Sequence, residues 1–135
     1  MTAPTAPIDP RARVAQLALI RLSLLLGVLL FGGVIYFLHR DPSWRPQPPE
    51  NVTAIGIATY VLWAAVVVGA LVLRGLHARA PEAQRPTFAI LGWALGEAAA
   101  LLGGVYYFLT DEPRRYVIGV FFLLAAFILF PLRRR

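Results

Sequence analysis

Residues 52–73 read VTAIGIATYVLWAAVVVGALVL, a run without a charged residue or a proline. A helix rises about 1.5 Å per residue, so roughly 20 residues cross a hydrocarbon core about 30 Å thick, and this run is long enough to span a bilayer. Unbroken Leu, Val and Ala argue against a barrel strand, which alternates apolar and polar residues over about ten positions. Working outward, uncharged runs occupy 22–38 and 116–132, and a fourth, 87–110, is broken only by Glu97. The first helix is expected to begin near Val14, which places Arg21 inside it. Pro10, Pro42, Pro49, Pro81, Pro86, Pro113 and Pro131 mark the edges of the runs, where a missing N–H costs least. The expected fold class is all-α, a polytopic membrane protein with four transmembrane helices.

Composition agrees. The chain has 135 residues, 59% hydrophobic and 15% charged, with a mean hydropathy of +0.67. The absence of cysteine excludes disulfides, thiolate zinc sites, iron–sulfur clusters and cysteine nucleophiles. All 13 basic residues are arginine, which with abundant Ala, Gly and Pro points to a GC-rich bacterial genome and a bacterial inner membrane. Arg11 and Arg13 ahead of the first run mimic a secretory signal, but the run is too long and lacks a small-x-small cleavage site, so it reads as a retained helix. Nine arginines (11, 13, 21, 74, 79, 85 and 133–135) fall on one side of the expected membrane and four (40, 45, 114, 115) on the other, so both termini are expected to be cytoplasmic. The expected organisation is a cytoplasmic segment 1–13, a first hairpin 14–74 with a Pro-rich outer loop 39–51, a cytoplasmic loop 75–86, a second hairpin 87–132 and a basic tail 133–135. With its charge serving orientation and no arginine cluster larger than three, the chain gives no sign of nucleic-acid binding.

Tyr36, Phe37, Trp44, Tyr106, Tyr107, Phe108 and Tyr116 gather at the expected outer ends, as an interfacial aromatic belt does. The outer loop is either a stiff connector or a docking strip. Gly32-Gly33-Val34-Ile35-Tyr36-Phe37-Leu38, followed by Pro42, matches Gly103-Gly104-Val105-Tyr106-Tyr107-Phe108-Leu109, followed by Pro113, at an offset of 71, with seven of eleven positions identical. A tandem, parallel duplication of one helical hairpin would produce this pattern.

The candidate site is Glu97, near the middle of the third run. A charged carboxylate there is costly, so it must be protonated, paired or turned toward a polar cavity. Gly92, Gly96, Ala100 and Gly104 recur every four residues as a helix-packing stripe, and Glu97 lies about 20° from Gly104 on a helical wheel, at the border of that seam. At its depth the neighbouring helices offer Tyr60 and Trp63, with Ser23 and Arg21 on the first helix. Arg21 either reaches Glu97 or snorkels to the headgroups. Glu97 is either a hydrogen-bonding residue between helices or a proton or cation site.

Ala78-Arg79-Ala80-Pro81-Glu82-Ala83 resembles the polar loop of the proteolipid (c-type) subunits of rotary ATP synthases, and Gly92, Ala94, Glu97, Ala98, Gly103 and Val105 are similar to the ion-carrying helix of that family. The resemblance covers helices 2 and 3 and implies that Glu97 takes up and releases a proton or a sodium ion. Helices 1 and 4 have no counterpart in the single hairpin, and helix 2 lacks the glycine repeat by which that family's rings pack, offering only Gly56 and Gly69.

His39 and His77 fall beyond the ends of the runs, so no histidine is placed to ligate haem or chlorophyll within them, and no nucleotide, zinc-protease or triad motif is present. No metal, cofactor, soluble small-molecule substrate or enzymatic activity is expected. The leading expectation is a non-catalytic accessory subunit of a larger respiratory or photosynthetic membrane complex, with lipid and other integral membrane subunits as partners. A proton- or cation-binding proteolipid-like protein is the alternative. A small multidrug exporter-like protein is third, disfavoured because its membrane glutamate would sit on the first helix.

Overall fold

Prolines open most of the helices. In a computed structural model describing residues 9–131, α1 runs over Pro10–His39, α2 over Pro49–Arg79, α3 over Arg85–Thr110 and α4 over Arg114–Leu129. Pro10 and Pro49 take the first helical position and Pro86 the second, where a proline ring fits and no donor is lost. The Asp9 carboxylate accepts a hydrogen bond from the Arg11 amide at 2.9 Å, so α1 starts four residues ahead of Val14. Segment 1–8 and the expected tail at 133–135 lie outside the described residues.

The chain is all-α. Helices α1, α2 and α3 are long and apolar enough to cross a membrane. With 16 residues, α4 reaches only about 24 Å. It ends when Phe130 leaves the helix and turns into the bundle, fully buried, its carbonyl accepting from the Trp93 indole at 3.2 Å.

Helix α3 is the hub, packed by α4 most intimately, then by α2, then by α1, while α1 and α2 barely approach each other. Small residues explain the order. At Gly119 of α4 an added Cβ would stand 2.6 Å from the Ala99 carbonyl and from Ala100 Cα; at Gly96 it would stand 2.8 Å from Leu123 Cα; at Gly103 it would strike the Arg115 carbonyl. Backbone therefore meets backbone along the α3–α4 seam. The expected four-residue stripe splits between two partners, because a step of four advances about 40° round the helix. Gly92 and Gly96 lie under Phe130 and Leu123 and Ala100 meets Gly119, whereas Gly104 lies under Phe31 of α1.

The two hairpins are not packed alike. In the second, α3 and α4 lie in backbone contact; in the first, α1 and α2 diverge, each leaning on α3. The shared Gly-Gly pairs also do different work. Gly103 receives the α4 backbone, its counterpart Gly32 receives only the tip of Tyr116, and Gly33 meets nothing within 4 Å.

Candidate functional site

What Glu97 faces follows from the packing of α3. Gly104, about 20° from it on the helix, lies under Phe31, so Glu97 is turned to the α1 side. The same register puts it near the level of Leu24, one turn beyond Arg21. Its side chain is partly exposed, and among the described residues no hydrogen bond or ion pair reaches its carboxyl group.

None of the four residues at its expected depth reaches its carboxyl group, and three of them are engaged elsewhere. Trp63 donates its indole N–H to the Ala99 carbonyl at 3.2 Å, because α2 packs on the side of α3 about 160° from Glu97. The Tyr60 ring lies against the Arg115 guanidinium, 4.6 Å from ring centroid to Cζ. Ser23 is exposed on α1. Arg21 stands over the Phe127 ring at 4.4 Å, a cation–π contact with α4 that neither expectation for it included.

Helix α1 covers the Glu97–Gly104 side of α3, α4 the Gly96–Gly103 side and α2 the Leu95–Ala99 side. The remaining quarter carries Thr87, Leu91, Ala94, Ala98 and Val105, all exposed. This bare strip, floored by two alanines, lies between two helices that do not close over it. Ala54, Ala58 and Ala65 of α2 continue its surface with Leu102 as an open apolar groove. Glu97 stands at the α1 edge of the strip.

Two polar clusters at the end bearing the α1–α2 and α3–α4 connections escaped the sequence reading. The His39 side chain, 6% exposed, has Nδ1 2.8 Å from the Asp111 carboxylate, though out of line for a hydrogen bond, and Nε2 3.1 Å from the Phe108 carbonyl. The Trp44 ring lies against it, tilted by 41° with 3.9 Å between centroids, and the Gln47 amide donates to the Leu109 carbonyl at 2.8 Å, so the Pro-rich loop is fastened onto the end of α3. Asp111 holds a left-handed backbone, φ 62°, to make this turn. The available signal was spacing: Arg21, Val28 and Ile35 recur every seven residues on the inward stripe of α1, and His39 continues it by one turn. The second cluster is Arg115 with Tyr60, Tyr106 and the Gly56 carbonyl.

At the other end, Arg74 donates to the Leu129 carbonyl at 2.7 Å, and His77 Nδ1 lies 3.2 Å from the Arg85 carbonyl. Among the described residues no three His, Cys, Asp or Glu side chains come together as a metal site would require. Comparison with protein-family models, curated proteins and solved structures returned no match to this chain.

Proposed function

We propose that the chain is an integral protein of a bacterial inner membrane, both termini cytoplasmic, and that it serves as a non-catalytic accessory subunit of a larger membrane complex of the respiratory or photosynthetic type. The supporting observation is the bare quarter of α3. A small-residue strip between two diverging apolar helices is the surface on which a further transmembrane helix packs closely, since van der Waals fit rather than hydrophobicity drives association in lipid. Glu97 at the edge of the strip supplies a polar partner for that helix. Large apolar side chains cover the outer faces of α1 and α2, Leu26, Leu30, Phe37, Val61 and Val68 among them, a surface suited to lipid rather than water. The short α4 is accommodated by local thinning of the bilayer.

The test is a photo-crosslinking residue placed at Ala98, with membranes solubilised in mild detergent and run on a native gel. The expected result is comigration with far larger partners and a crosslink to another integral membrane protein. A clean monomer without a crosslink would refute the reading.

The second reading, a proton- or cation-binding site at Glu97, is favoured by the lack of any partner for its carboxyl among the described residues. It predicts labelling of Glu97 by a hydrophobic carbodiimide, slowed by sodium or high pH. Unchanged labelling of the Glu97→Gln variant would remove it.

A further inference from the structure

The Arg115 side chain leaves the first turn of α4 and crosses to α2, where Nη1 donates to the Gly56 carbonyl at 3.0 Å. Its guanidinium carbon lies 3.6 Å from the Tyr106 ring centroid and 4.6 Å from that of Tyr60. Gly103, pressed on the Arg115 carbonyl, fixes the base of the side chain. Gly56 eases the approach: an added Cβ would stand 3.0 Å from Nη1, so the guanidinium would have to draw back slightly.

Guanidinium carries five N–H groups in one plane. One goes to Gly56, and among the described residues no other hydrogen bond or ion pair takes the rest; the nearby acid Asp111 faces His39, and Glu112 forms no ion pair. Tyrosine faces stabilise the charge without occupying the in-plane donors. What remains is a planar fork open to a bidentate oxyanion.

Depth selects the oxyanion, on the membrane reading proposed above. Helix α2, with 31 residues, extends about 46 Å, some 16 Å more than a hydrocarbon core of about 30 Å. Centred, it projects about 8 Å at each end, and Gly56 lies about 10 Å from its start. The guanidinium therefore sits at the hydrocarbon boundary, within reach of phospholipid phosphates. A second feature lies on the same side of the bundle. Between α2 and α4, deeper than Arg115, an apolar crevice of about 160 Å³ is lined by Val66, Val67, Ala70, Phe122 and Ala125 and backed by Gly92 and Gly96. Cavities of this size and polarity stay dry and take up hydrocarbon.

We propose that the seam between α2 and α4 is a phospholipid-binding site, with the lipid phosphate held by the free N–H groups of Arg115 and an acyl chain laid along the seam into the crevice. The experiment uses the full chain purified in mild detergent, exchanged into phosphatidylglycerol micelles, washed and examined by native mass spectrometry. One retained phospholipid per chain is expected. Arg115→Gln should lower retention about tenfold, the loss that removal of charge-assisted hydrogen bonds carries. Arg115→Lys keeps the charge without the fork and should also retain less lipid, while Ala125→Phe should displace the acyl chain with Arg115 intact. Helical circular dichroism establishes that each variant is folded. Equal retention by wild type and all three variants would overturn the site, as would displacement of the lipid by excess inorganic phosphate, which would show a site for free anion. Alkaline carbonate extraction of the wild type tests membrane insertion separately: a chain washed out of the membrane refutes that reading, whereas a chain retained without bound lipid refutes only the site.

Discussion

Replacing Gly119 by alanine tests the claim that α3 and α4 are held by backbone contact. The new methyl would lie 2.6 Å from both the Ala99 carbonyl oxygen and Ala100 Cα, with the Ala100 nitrogen at 3.0 Å. None of these atoms belongs to a side chain that can turn away, so relief to an ordinary separation of about 3.6 Å requires α4 to retreat by roughly 1 Å. A gap of that size forfeits about a quarter to a half of the dispersion energy of each facing pair, and the seam continues through Gly96 against Leu123 and Gly103 against Arg115. Overpacking costs about 1–3 kcal/mol, and the lost seam contacts place Gly119→Ala at the upper end, near 3 kcal/mol. The control is Gly33→Ala on α1, where the added Cβ meets nothing within 4 Å. There alanine should stabilise the helix by about 0.5–1 kcal/mol. Reversible unfolding in mixed micelles, followed by circular dichroism, reads both. If the two variants fall within about 0.5 kcal/mol of each other, the seam is not what holds the hairpin.

Phe130→Ala removes a fully buried ring that fills the space over Gly92 and should cost about 3–5 kcal/mol in the same assay. Asp111→Asn keeps a residue tolerant of the left-handed backbone but removes the charge facing His39, so it should loosen the 39–48 loop, seen as faster amide exchange at Gln47; unchanged exchange would show that the charge is not needed. Asp41 accepts from the Ser43 amide at 2.8 Å, which lowers its carboxyl below the ordinary 3.8. A carboxylate whose value is lower folded than unfolded stabilises the turn above the unfolded value and loses that contribution as pH falls through the folded one, so the Ser43 amide should broaden in NMR spectra only in acid, and Asp41→Asn should remove this dependence.

The helices were legible because each depends on local terms. Apolar runs and proline positions are properties of consecutive residues, and the structure moves only the ends: α1 begins at Pro10, capped by Asp9, and α4 stops at Leu129. Glu97 stood out for the same reason, as a lone carboxylate in an apolar run. Its surroundings were not legible. Depth along a helix can be counted, and Trp63 does meet α3 two residues from Glu97, at Ala99, but on another side of α3, and rotation about an axis leaves no mark in a count of residues.

From sequence alone come four helices, their apolar character, the edges set by proline and the carboxylate in the third. Tertiary structure alone decides that α3 is the hub, that of the matching Gly-Gly pairs Gly103 receives a helix backbone while its counterpart Gly32 receives only a tyrosine tip, and that Arg115 and His39 gather partners from distant segments. Helix formation is settled within a few turns of chain, by hydrogen bonds and caps between near neighbours. Which face meets which helix is settled by close packing, which a glycine permits only if the surface opposite it fits. Two closely similar stretches of sequence can therefore end in different surroundings.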